Sequence, residues 1–399
     1  MIKEIRIENY KSIQKLKLEL GRITVLIGEN GCGKSNILEA IAFAAAAADD
    51  KLDNEFLAPK GIRETKPKLM RSAFDKDNID KEIKISMIGD EKIAFHCNLQ
   101  NDNDTYSKWN KENKKDFELF TLNNIKEDFL KEIEQKIDEE LDEIKKKSDK
   151  ERKEYISFIT KEFLLVLNKE SKHPQIKKEM LYIFNYLIYS PEYQCLRNFR
   201  EEGQIRPLGI NGEGLFELLQ VLSSDEEKID EIKERLKLIG WFKNFKIPDS
   251  LFIGERAIQI EDRYLDQELT FDQRSTNEGF LFLLFYFCLF ISSDTPKFFA
   301  IDNIDASFNP KLCRRLIMEL TDLAKKYDKQ VIFTTHNPAI LDGLNLNDDE
   351  QRLFIVSRNS SGYTKARRFL KPKTPEGEEP ITLSEAFLRG YIGGLPKSF

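Results

Sequence analysis

The sequence predicts an α/β protein with a mixed, largely parallel central sheet, an antiparallel β region at its N-terminus and a helical insertion. Three observations carry this. A glycine-rich loop, GENGCGKS (28–35), lies between a buried-strand pattern, ITVLI, and a helix pattern, NILEAIAFAAAAA. Far downstream, FFAIDNIDASFNP, KLCRRLIMELTDLAKKY and QVIFTTHNP follow as strand, helix, strand, which makes the two strands parallel neighbours. Between these regions, residues 124–189 change to a charged helical pattern.

In chain order, IKEIRIENY and KLKLEL alternate with a period of two, and RITVLIG is a buried strand ending at glycine. KEIKISMIGDEKIAFHCNL (81–99) reads as a hairpin turning at GD. In the insertion, Ile133, Ile137, Leu141 and Ile144 mark one helical stripe, supported by pairs such as Glu132 with Lys136. The stripe is too short for a long coiled-coil arm; it is either a docking element or packs on its own second helix near YISFITKEFLLVLN. A second α/β region opens near 190 with helical GEGLFELLQVL and EEKIDEIKERLKLI and strand-like SLFIGERAIQIED. The last stretch reads as short strands and turns ending in a small helix. The expected division is 1–123 and 190–399 for the two parts of one head, with 124–189 as the insertion.

At 399 residues and 40% apolar content the chain can bury a substantial core and is not a disordered or fibrous protein. A net charge of −6 provides no overall basic field, so any contact with DNA falls to local stretches and is expected to be weak. The candidates are KGIRETKPKLMR (60–71), with Arg63, Lys66, Lys68 and Arg71, and KARRFLKPK (365–373). Five scattered cysteines without CxxC spacing suit a reducing, cytoplasmic setting, and MIKEIRIENY lacks the order of a secretory signal. FLFLLFYFCLFI (280–291) is shorter than the roughly 20 residues needed to span a bilayer, so it is expected to be a buried helix.

GENGCGKS fits GxxxxGK[ST], whose mechanism is physical. Glycines let main-chain N–H groups turn toward phosphate, the lysine reaches the terminal phosphates, and the hydroxyl binds Mg²⁺ at a helix N-terminus that favours anions. Asn30, Gly31, Gly33, Lys34, Ser35 and Asn36 are therefore the expected nucleotide-binding set. The acidic partner such a loop needs is Asp302, at the end of FFAI, which with Ser35 would hold the magnesium. His336 ends the next strand, where ligands bind in parallel sheets.

RIENYKS, GENGCGKSNILEAI, YSPEYQCLRNF, AIDNIDASFNP and TTHNPAIL together resemble the ABC-type ATPase heads of the RecF, SMC and OLD branch, annotated in genomes as AAA-family ATPases. The resemblance covers nearly the whole chain outside the insertion. It implies that His336 contacts the γ-phosphate and that Tyr10 stacks on adenine, although a packing tyrosine fits that position equally. It also implies a signature segment, Asn277 to Gly279 in RSTNEGFLFLLFYF, that contacts nucleotide on a second subunit, with Asn277 where serine is usual. Such heads carry Glu where this chain has Asn303. A carboxamide orients water but cannot accept its proton, so either hydrolysis is slow or Asp305 substitutes. The resemblance implies a homodimer around two ATP molecules. OLD-type enzymes carry a TOPRIM nuclease, and no acidic cluster of that kind follows His336. LSEAFLRGYIGGLPKSF is similar to the ends of stand-alone ATPases of bacterial antiphage defence, PARIS- or Septu-like, where a separate nuclease or toxin is the effector. A RecF-like DNA-repair ATPase and a nearly inactive ATP-dependent assembly protein are the alternatives.

Overall fold

The computed structural model describes residues 1–89, 93–104, 107–111, 117–119, 182–199, 207–248, 256–266, 268–371 and 381–394. The insertion stripe from Ile133 to Ile144 lies outside them, as does SLFIG of the strand-like run that starts at Ser250.

Strands β1 (Ile2–Tyr10) and β2 (Ile13–Glu19) form the expected opening hairpin, with Ile5 opposite Leu18 and Ile7 opposite Leu16 on the buried face. β4 (Ile83–Gly89) and β5 (Ile93–Gln100) form the second hairpin and extend the sheet on the far side of β1. Short β6 (Asn110–Lys111) and β7 (Phe117–Leu119) pair with β5.

β9 (Phe242–Lys246) and β10 (Gln259–Asp262) form a separate antiparallel pair. The central sheet runs, in order across it, through β14 (Thr364–Phe369), β13 (Gln351–Arg358), β3 (Ile23–Ile27), β12 (Gln330–Thr335), β11 (Phe298–Ile301) and β8 (Ile188–Tyr189), parallel throughout except for the β13/β14 hairpin. Thr335 pairs with Ile27 and Phe333 with Ile301. The segments that follow β3, β11 and β12 therefore emerge at one edge, which brings the glycine loop, Asp302 and His336 together. β8 falls at the end of the range expected to be the insertion, yet pairs with β11, so the head resumes before residue 190. Two residues followed by Ser190 and Pro191 carry no periodicity from which this could be read.

Helix α1 (Lys34–Ala48) lies between the two sheets. Every residue from Ile37 to Ala47 is buried, and the FAAAAA run follows from that placement: a helix covered by sheet on both sides needs small side chains. Phe43 is the one large group in this run, packed on Tyr10 and Trp109. The opposite face of the central sheet carries a second core built on α2 (Leu215–Ser223), α3 (Glu226–Leu236), α4 (Glu278–Ile291) and α5 (Pro310–Lys326). In α4 every residue from Phe280 to Ile291 is buried, as the greasy run predicts, and no described helix is long and apolar enough to cross a membrane. Gln330 ties the two sheets through the main chain of Ile2 and Gly21. All five cysteines are buried thiols.

Candidate nucleotide-binding site

The glycine loop closes against its surroundings so tightly that side chains are excluded. Gly33 has φ 107° and a Cβ there would lie 2.1 Å from the Thr364 hydroxyl, while a Cβ on Gly28 would lie 2.1 Å from the Val356 carbonyl. α1 is entered from Gly33 with no side-chain cap and has no acid in its first turn, so its leading N–H groups and positive dipole end are available to an anion. Asn36 donates to the Ser12 hydroxyl at 2.7 Å, which fixes the first turn against the β1/β2 connection. Asn30 and Gly31 sit exposed at the tip.

Lys34 is buried, its ammonium donating to the carbonyls of Gly28 (2.9 Å) and Glu29 (3.1 Å) and lying 3.5 Å from His336 Nδ1. Burial pushes the ammonium below its ordinary value, against the pull of Cys32 and Asp302. Burial, and then the Lys34 charge, also lower His336, so its imidazole is neutral near pH 7.

Ser35 donates to Asp302 Oδ2 at 2.9 Å. Magnesium prefers oxygen ligands and keeps several waters. A hydroxyl and a carboxylate at this spacing are donors of that kind, and the described residues hold no group of three or more His, Cys, Asp or Glu that would form a metal cage of its own. The Thr334 hydroxyl donates to Asp302 Oδ1 and accepts the Asn303 N–H at 2.9 Å, so one threonine orients both residues. Asn303 is exposed and left-handed, φ 56°, a conformation that asparagine adopts more readily than glutamate. Asp305 is held by the Thr335 hydroxyl at 2.5 Å, which gives it a structural role in the loop after β11.

Asn277 to Gly279, expected as the signature segment, lie at the start of α4. Asn277 caps α4, accepting from the Phe280 N–H at 2.9 Å, and both Asn277 and Glu278 are exposed. A Cβ on Gly279 would have Asn277, Ser307 and Phe308 as its nearest neighbours, none closer than 3.6 Å.

Tyr10 does not present a ring for stacking. It is fully buried against Phe43, with its hydroxyl 3.5 Å from Glu39, and packing is the role its surroundings give it. Arg71 is likewise no free phosphate contact: it is buried over Trp109 and bonded to the main chain of Lys81 and Asn101. Arg63 and Lys11 pair with the buried Glu39. The residues that sequence reasoning passes over are Thr334, Thr335, Ser12 and Thr364, which position the acid, the loop after β11 and Gly33. For the first two a signal exists, because the TT of TTHNP directly precedes His336 at a strand end.

Residues 23–342 match the family described as "AAA domain, putative AbiEii toxin, Type IV TA system". The DNA replication and repair protein RecF of Bacillus cereus (strain G9842) is 27% identical over 110 residues, covering 25% of this chain and 29% of that protein. The DNA double-strand break repair Rad50 ATPase of Methanocaldococcus jannaschii is 43% identical over 63 residues, covering 15% of this chain and 6% of that one. The chain thus spans 29% and 6% of the lengths of these two relatives. Among solved structures, the SMC head bound to the C-winged helix domain of ScpA superposes with a TM-score of 0.55 at 15% identity, over 92% of this chain and 98% of that one. The fold is that of an ABC-type ATPase head.

Proposed function

This chain belongs to the AAA-domain family matched over residues 23–342, and on that premise we propose that it binds ATP with Mg²⁺ and hydrolyses it slowly within a homodimer. The observation that carries the reading is the Ser35 hydroxyl on the Asp302 carboxylate at 2.9 Å, across the mouth of a loop whose N–H groups are uncapped. Lys34 neutralises the terminal phosphates, Ser35 and Asp302 would hold a magnesium ion, and the neutral His336 orients the γ-phosphate. When bound there, the ion would supply positive charge to stabilise the transferred group. Asn303 positions water without taking its proton, which keeps the ATP-bound state long-lived. The segment from Asn277 to Gly279, with Asn277 and Glu278 exposed, completes the site of a second copy.

In this reading the dimer is a sensor or scaffold for a separate effector, a nuclease or toxin, in antiphage defence; the family description, which names a toxin–antitoxin system, supports it. The second reading, a RecF-like ATPase acting on DNA, is favoured by the similarity to RecF. The burial of Arg71, bonded to the main chain inside the fold, weighs against it.

Isothermal titration of ATP with Mg²⁺ against the parent and Lys34→Ala tests the nucleotide assignment. The parent is expected to bind and the variant to lose binding at least tenfold, through the lost charge on the phosphates. Equal affinity for both proteins would remove the loop from the account.

A further inference from the structure

With Tyr10 enclosed in the core, the base of a bound nucleotide has no partner among the residues so far assigned to the site. The sheet order supplies a direction. β3, which carries the phosphate loop, lies between β12 and β13. The groups that meet the terminal phosphate, Asp302 and His336, follow β11 and β12 on one side. An extended nucleotide with its γ-phosphate toward β12 has its base toward β13 and β14.

On that side, Arg358 at the end of β13 donates from Nε to the Gly31 carbonyl at the loop tip, 2.7 Å away. Its guanidinium lies 5.5 Å from the centroid of Phe74, and Phe74 meets Tyr363 edge to face with centroids 5.6 Å apart. The three side chains form one cluster continuous with the loop. Its scaffold is tied down: Thr364 donates its N–H to the Ser12 carbonyl at 2.8 Å, and Gly362 and Tyr363 close a turn on Asn359. Phe74 follows the buried Arg71 and Ser72 by two or three residues. Yet Phe74 itself is 51% exposed, which for an aromatic ring anchored on both sides is a standing cost in uncovered apolar surface.

We infer that Phe74, Tyr363 and Arg358 form the base-side wall of the nucleotide site, where a purine ring stacks on the open surface of Phe74. The inference rests on the nucleotide reading above and adds to it the part of the site that recognises the base. An aromatic surface beside an arginine suits a purine, because the flat ring gains dispersion and the guanidinium meets π density.

The test compares ATP with inorganic tripolyphosphate, which engages the phosphate loop alone. In Phe74→Ala/Tyr363→Ala the Kd for ATP is expected to rise about tenfold, the lower part of the range for removing base–aromatic stacking. The Kd for tripolyphosphate should stay within about twofold, and Phe74→Tyr should restore ATP binding. A second measurement uses the emission of Phe74→Trp, which ATP should quench and tripolyphosphate should not. Unchanged ATP affinity in the double variant overturns the wall while leaving the phosphate loop in place, and so does an equal loss of both ligands. Failure of the parent to bind either ligand overturns the nucleotide reading and the wall with it.

Discussion

Asn303 holds two properties in one side chain. Its left-handed backbone, φ 56°, favours asparagine, and its carboxamide cannot serve as a base for water. The two have opposite consequences for Asn303→Glu. Glutamate restores a carboxylate beside Asp302 but carries a left-handed penalty of roughly 1–2 kcal/mol. Loss of a general base costs on the order of 10²- to 10⁴-fold in rate. The chemical gain exceeds the backbone penalty, so steady-state phosphate release should rise in Asn303→Glu while its melting temperature falls slightly. Should the parent already turn over fast and Asp305→Asn stop it, the base is Asp305 and the Thr335 contact is a catalytic support. The placement of such residues was readable in part. Lys34, Ser35, Asp302 and His336 follow from spacing and strand ends, whereas the burial of Tyr10 does not, because an alternating strand ending in tyrosine has the same pattern whether its last ring faces solvent or a helix.

At the level of elements, what the sequence made legible was periodicity. β1, β2, β3, α1, α5 and β12 stand where alternation, apolar runs and glycines put them. β8 escaped because two residues have no period, and its assignment depends on a parallel partner more than a hundred positions away. The alanine run of α1 is the clearest case of sequence written by packing. Ala44 is fully buried between the two sheets, so Ala44→Leu has no space to expand into. Overpacking of this kind costs about 1–3 kcal/mol. Denaturant unfolding should show that loss with an unchanged m-value, whereas stability equal to the parent would mean that the sheets are not packed on α1 as tightly as described. Since Lys34 and Ser35 begin the same helix, a shifted α1 should also weaken ATP binding.

For the whole molecule, the question is whether one chain holds a complete site. Phosphate loop, Asp302 and His336 converge at one sheet edge, while Asn277 and Glu278 at the start of α4 are exposed. A Cβ added at Gly279 would meet nothing closer than 3.6 Å, so Gly279→Arg is compatible with the fold of its own chain and should block only what approaches from outside. Light scattering should show ATP raising the mass of the parent and leaving Gly279→Arg unchanged. Mixing gives the sharper result. Lys34→Ala lacks the phosphate contact but keeps its outward segment; Gly279→Arg lacks the segment but keeps the loop. Each alone has no intact composite site. In a two-fold dimer with random exchange, half the dimers are mixed and each holds one intact site of two, so ATPase activity should return to about a quarter of the parent. A mixture as inactive as its components, with exchange verified by differently tagged subunits, would mean that the outward segment does not serve a neighbour's nucleotide.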